Sequence, residues 1–230
     1  MLESEKKVIN VALDFDTALV LINEAIRVIG DIFGPAFKKM IAKYALKFQS
    51  DKTGENPQGR TEDINEVVKY IAESKSKYPR GYNSLLFGIA KAEKMFEGAT
   101  ASGAKSVAST AIRKIIEDSG ILNQYKGKIT NIFDALSAYI EMAILTKATV
   151  SQRMLQGSDQ VIFQDVSEGC PYKDACKGMI NEGITRLKKQ QECIVLMGNT
   201  AGISVITGKP IDYSLEKFDQ PNCEGRIFEI

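Results

Sequence analysis

Gly169-Cys170-Pro171-Tyr172-Lys173-Asp174-Ala175-Cys176 opens the stretch that decides the fold, and Pro221-Asn222-Cys223-Glu224-Gly225-Arg226-Ile227-Phe228-Glu229-Ile230 closes it. All four cysteines of the 230-residue chain (Cys170, Cys176, Cys193 and Cys223) fall in this last quarter. Hydrophobic periodicity also changes just before it. Residues 148–155 and 160–166 read as two strands around the turn Gln156-Gly157-Ser158-Asp159. A helix is expected over 174–189. Short strands are expected over 193–197, 202–207, 212–218 and 225–230, with Gly198-Asn199 and Gly208-Lys209-Pro210 in the turns between them. Together these give a mostly antiparallel sheet with one inserted helix.

Upstream the apolar residues recur at helical spacing. Leu19, Ile22, Ile26, Ile29, Phe33 and Phe37 form a stripe that Asp14 or Asp16 can cap, and Gly34-Pro35 divides it into two helices or kinks it. Residues 49–60 read as a polar loop, and Thr61 as the start of a helix burying Val67, Val68 and Ile71. Residues 75–80 form a basic turn. Further helices are expected over 82–96, over 104–118 with Gly120 as its stop, and over 132–145 with Asn131 as its cap. The predicted class is therefore α+β: a helical N-terminal layer packed on a C-terminal mostly antiparallel sheet with one inserted helix. A single domain is expected, mainly helical over 1–145 and α/β with the cysteines over 146–230.

Composition limits the chemistry. The formal net charge is +1, so no global field draws the chain to nucleic acid. Charges interrupt every long apolar stretch, so no membrane span is expected. The charged start Met1-Leu2-Glu3-Ser4-Glu5-Lys6-Lys7 leads into no signal-peptide core, which points to the cytoplasm. There is no histidine. Histidine-based triads, histidine metal ligands and a proximal-histidine haem are thereby excluded. Any metal must be held by cysteine, carboxylate or backbone.

Steps of six, seventeen and thirty residues separate the cysteines. They match neither the paired two-residue spacing of zinc ribbons nor the common ferredoxin spacings. Four readings are open: inert thiols placed separately, a zinc or iron–sulfur site on Cys170, Cys176, Cys193 and Cys223, a reversible disulfide between Cys170 and Cys176, and a catalytic thiol. A thiol near a helix N-terminus is stabilised as thiolate, which favours Cys170 and Cys176, with Lys173 adding positive charge. Cys193, in an apolar run, reads as a small core residue. Glu168, Asp174 or Glu224 can supply a carboxylate.

The Cys170-Pro171 pair before a helix, the segment Tyr213-Ser214-Leu215-Glu216-Lys217-Phe218-Asp219 leading to Cys223, and the terminal Arg226-Ile227-Phe228-Glu229-Ile230 resemble the 4-vinyl-reductase-like, or hydrocarbon-binding, domains of archaea and bacteria. These are related in fold to Golgi transport-particle subunits and haem nitric-oxide sensors. Residues 22–34 look like the glycine-punctuated first helix of that family. The resemblance implies a helical layer over an antiparallel sheet, a homodimer, a pocket for a small hydrophobic ligand, and a metal site whose matching positions are Cys170, Glu216 and Cys223. The family's closing pattern has two cysteines around Gly-Asp; here Asp219 stands near the first, and Gly225 follows Cys223.

The expected function is a cytoplasmic small-molecule-binding or sensor protein with a cysteine-rich C-terminal metal or iron–sulfur site. Tyr82, Phe87, Phe133 and Tyr139 are candidate pocket walls. A metal- or thiol-dependent reductase or hydrolase on the same scaffold is the alternative, and a structural dimerisation module is another.

Overall fold

The computed structural model describes residues 8–11, 14–55, 62–96, 110, 113–114, 116–117, 120, 122–125, 128–142, 152–156, 160–165, 170–184, 193–217 and 223–230. In chain order the elements are β1 (Val8–Val11), α1 (Phe15–Phe33), α2 (Pro35–Thr53), α3 (Ile64–Glu73), α4 (Tyr82–Phe96), α5 (Leu122–Tyr125), α6 (Ile132–Met142), β2 (Gln152–Gln156), β3 (Gln160–Asp165), α7 (Lys173–Asn181), α8 (Ile194–Thr207), β4 (Ile211–Lys217) and β5 (Glu224–Glu229). The class is α+β, with helices dominating the N-terminal part. Two compact units are present, each assembled from separate stretches of chain. Asp14–Val107 and Tyr172–Gln190 form a helical unit; Met1–Leu13, Ala108–Pro171 and Gln191–Ile230 form a sheet unit.

The helical unit is organised around α4, in which every residue from Tyr82 to Ile89 is buried. Close approach of α4 to α2 rests on small residues. A Cβ on Gly88 would lie 2.6 Å from the Ile41 carbonyl oxygen and 3.1 Å from the Ala45 nitrogen, so only glycine lets the two backbones meet there. Ala42, Ala45 and Ala92 are fully buried. Gly34 and Pro35 divide α1 from α2 as expected: Gly34 takes φ 86°, a conformation glycine adopts without a Cβ clash, and Pro35 begins α2.

Two boundaries differ from the sequence reading. The loop expected from residue 49 starts later, because Gln49 is buried inside α2 and its side-chain oxygen accepts a 2.7 Å hydrogen bond from the Ser84 hydroxyl. The α2 helix then ends at Gly54. Asp63 caps α3 by accepting from the Asn65 N–H at 2.8 Å; Thr61 lies outside the described residues. The expected turn 157–159, and Glu168 and Asp219, also lie outside them.

Helix α7, which follows Cys170 in sequence, belongs to the helical unit. Buried Asn83 explains its attachment. The Asn83 Oδ1 accepts from the Ala175 N–H (3.1 Å), satisfying a first-turn donor of α7, while Nδ2 donates to the Arg80 carbonyl (3.0 Å). The Tyr78 hydroxyl donates to Asp174 at 2.8 Å, and burial, reinforced by that carboxylate, pushes the phenol's pKa well up. Gly178 sits against Phe48 and Phe87, whose rings stack at 4.5 Å; a Cβ there would lie 2.5 Å from Phe48. Tyr172 meets Tyr82 edge-on at 6.2 Å.

The sheet unit contains a five-stranded sheet of order β1-β2-β3-β5-β4, antiparallel throughout. Strands β2 and β3 form the expected hairpin, and β4 and β5 fall where the C-terminal strands were expected. Strand β1, from residues 8–11, has no counterpart in the sequence reading. On β4 and β5 the period-two pattern is clear: Ile211, Tyr213, Leu215, Gly225 and Ile227 are buried, while Glu216 and Arg226 are exposed.

The main correction concerns residues 193–207. The two short strands expected at 193–197 and 202–207 are one helix, α8, with Gly198-Asn199 inside it rather than in a turn. Its β-branched, apolar composition resembles that of a strand, but burial on several sides accounts for that composition equally well. Gly202 packs flat against the Tyr139 ring of α6, where a Cβ would overlap the ring. Gly208 closes α8 at φ 71°.

Replacing Gly88 by alanine is expected to destabilise the fold by about 1–3 kcal/mol through overpacking of the α2–α4 crossing. A denaturant melt checks this. Unchanged stability would show that the two backbones separate without cost.

Candidate functional site

The four cysteines do not share one setting. Cys170, Cys193 and Cys223 belong to the sheet unit, and Cys176 to α7 of the helical unit. Cys170 and Cys223 are buried, and Cys176 and Cys193 are partly exposed. Helix α7 begins between Cys170 and Cys176, as expected, with Tyr172 rather than either cysteine as its N-cap residue.

An N-cap position is held instead by a cysteine the sequence reading assigned to packing. Cys193 is the N-cap residue of α8, with extended backbone at φ −121° and ψ 115°. No side-chain hydrogen bond closes the cap, but the Val195 and Leu196 N–H groups face the sulfur and favour its thiolate. Burial works the other way and dominates, pushing the thiol from 9.0 up to about 11, with the nearby Cys223 adding to the rise.

Packing brings Cys223 to the same place. Leu196, fully buried three residues into α8, lies on Gly225, the second residue of β5. A Cβ on Gly225 would overlap Leu196 Cδ1 and lie 3.0 Å from the Ser214 carbonyl oxygen. The missing side chain therefore seats the first turn of α8 over the start of β5, where Cys223 stands. The start of α8 and the start of β5, with Cys193 and Cys223, thus lie in one region of the sheet unit, although thirty residues separate the two thiols in sequence.

Other candidate residues lie elsewhere. Glu216 is on the outward side of β4, accepting from Ser214 and standing 3.8 Å from Arg226. Asp174 accepts from Tyr78 in the helical unit. Glu224 is the residue after Cys223 and is partly exposed. Among the described residues, no three cysteines, aspartates or glutamates converge as a group able to hold a metal ion. The described residues thus show no set of the three or four donors that zinc or an iron–sulfur cluster takes. The candidate pocket walls also divide. Tyr82 and Phe87 are buried in the helical unit, Phe133 and Tyr139 belong to α6 of the sheet unit, and burial pushes the Tyr139 phenol up to about 12.

Thr200 lies two turns after Cys193, on the same face of α8. It is 6% exposed, and its hydroxyl has no hydrogen-bond partner among the described residues. Sequence reasoning missed Thr200 and Leu196 because it placed residues 193–197 and 202–207 in strands with a turn between them. The four-residue step from Gly198 to Gly202, with Gly208 beyond the apolar run, was the available helical signal.

Neither a family model nor a curated protein matches this sequence. Among the described residues, no helix is long and apolar enough to cross a membrane.

Two outcomes test this geometry. Thr200→Val should raise stability by about 1 kcal/mol, because it removes a buried hydroxyl that has no partner while keeping its shape. A loss of stability would reveal a partner. For Cys193, the folded chain keeps a proton that the unfolded chain releases from about pH 9.0, so its contribution is complete below that pH and is lost as pH rises through about 11. The thermal midpoint of the wild-type chain should therefore fall more steeply across this window than that of Cys193→Ser. Parallel curves would show an ordinary, solvated thiol.

Proposed function

We propose that this chain is a cytoplasmic sensor or small-molecule-binding protein whose responsive centre is built from its C-terminal cysteines. The observation that supports this best is that Cys193, the N-cap of α8, stands near Cys223 where α8 starts over β5. Paired thiols at a helix N-terminus are suited to metal capture, since metal binding displaces their protons and the helix end favours the resulting negative charge. With no histidine in the chain, sulfur carries the coordination chemistry. A zinc or iron–sulfur centre on this scaffold requires Cys170, Cys176 or a carboxylate to join the pair on binding.

The test is metal and sulfide analysis, an absorption spectrum and thiol titration on protein purified without oxygen. Bound metal, lost in Cys193→Ser and Cys223→Ser, is the expected result. A metal-free sample that takes up no metal when offered it, with all four thiols titrating freely, overturns the proposal.

A further inference from the structure

We propose that the segment from Lys75 to Asn83, which runs from the end of α3 into the first turn of α4, is a latch. It ties the start of α1 to the start of α7, so that the two helix starts open and close as one unit. The latch lies within the helical unit and does not depend on how the cysteines are read.

Both helix starts are places where the chain enters the helical unit, after Leu13 and after Pro171. Far apart in sequence, they bear on the same short segment. At α1, the Phe15 ring lies 5.9 Å from the Tyr82 ring. Lys75 Nζ stands 5.0 Å from the centre of the Phe15 ring and 2.9 Å from the Asp16 carboxylate. At α7, the Tyr172 ring meets the same Tyr82 at 6.2 Å, the Tyr78 hydroxyl donates to Asp174, and Asn83 accepts from the Ala175 N–H. Tyr82 is therefore shared. Its side chain is buried, and loss of either Phe15 or Tyr172 would expose apolar surface that the other helix start also uses.

The segment is internally braced, so it passes a displacement on. The Lys77 and Tyr78 N–H groups both donate to the Ser74 carbonyl at 3.0 Å, Gly81 N–H donates to the Tyr78 carbonyl at 2.9 Å, and Ser84 N–H to the Gly81 carbonyl at 2.9 Å. The Ser84 hydroxyl then fixes this turn to Gln49 of α2. Helix α7 has nine residues, and isolated helices shorter than about 12–15 residues are marginal in water. Undocking α7 therefore unwinds it, and the latch controls an order–disorder step. Cys170 stands two residues before Tyr172, so a change that displaces the chain there draws on the latch and reaches the start of α1.

The experiment is native-state hydrogen exchange on the full chain, read by peptide mass spectrometry over a denaturant series. In the unaltered chain, the first two turns of α1 and of α7 should share one opening equilibrium and one denaturant dependence, both below those of the centre of α2. Tyr78→Phe removes only the hydroxyl that holds Asp174, and Phe15→Leu removes the ring that α1 places on Tyr82. Each should speed exchange at both helix starts by the same factor, about tenfold for Tyr78→Phe, and leave the centre of α2 unchanged. Acceleration confined to α7 in Tyr78→Phe, or to α1 in Phe15→Leu, overturns the latch. So does separate denaturant dependence of the two starts in the unaltered chain, or equal acceleration at the centre of α2, which would show the whole unit opening together.

Discussion

The seat of Leu196 on Gly225 fixes where α8 lies on the sheet. A backbone without a Cβ on β5 opens a space, and a fully buried leucine from the first turn of the helix fills it. Gly225 pairs with Phe163 on one side and Leu215 on the other, so this space occurs at a central register position of the sheet rather than at an edge. Once Leu196 is seated, the N-cap at Cys193 and the strand entry at Cys223 have little freedom relative to each other. The thiol pair is thus a consequence of backbone packing: its geometry is set by a glycine and a leucine that carry no chemistry of their own.

The helical unit follows the same logic with different residues. Gly88 lets α4 approach the α2 backbone, and Gly178 lets α7 lie against the stacked Phe48 and Phe87. Where polar groups are buried, they are used to join elements: Gln49 to Ser84 between α2 and α4, and Asn83 to both the Arg80 carbonyl and the Ala175 N–H. Each buried link satisfies groups whose loss would cost more than the bond contributes when formed, so these links specify position more than they add stability. Helix α7 is held to this unit by several such contacts.

Much of the fold was legible where periodicity was strong. The Gly34-Pro35 division of the first helical stripe, the β2–β3 hairpin, β4 and β5 all follow from local rules of spacing and turn chemistry. The Asn131 cap does as well, its Oδ1 accepting from the Asp134 N–H at 2.8 Å. Helix α8 was not legible in this way. A run such as Ile194-Val195-Leu196-Met197 carries no polar face to mark its period, and short apolar runs suit a buried strand or a buried helix equally. That one misreading hid the site. With residues 193–197 in a strand, Cys193 looks like packing; with Cys193 as a helix N-cap, it becomes the thiol that the Val195 and Leu196 N–H groups face. Cys170 and Cys176 drew attention through proximity to a helix that does start between them, at Lys173, though Tyr172 is its N-cap residue.

The opposing influences on Cys193 set its resting state. Burial raises the thiol's pKa, while the first-turn N–H groups of α8 lower it, and burial dominates. The resting thiol is therefore protonated and neutral at ordinary pH, and it stays so to a higher pH than a solvated thiol does. An N-cap position alone does not make a thiolate: the helix end stabilises the anion, but the desolvation that comes with packing α8 on the sheet costs the anion more.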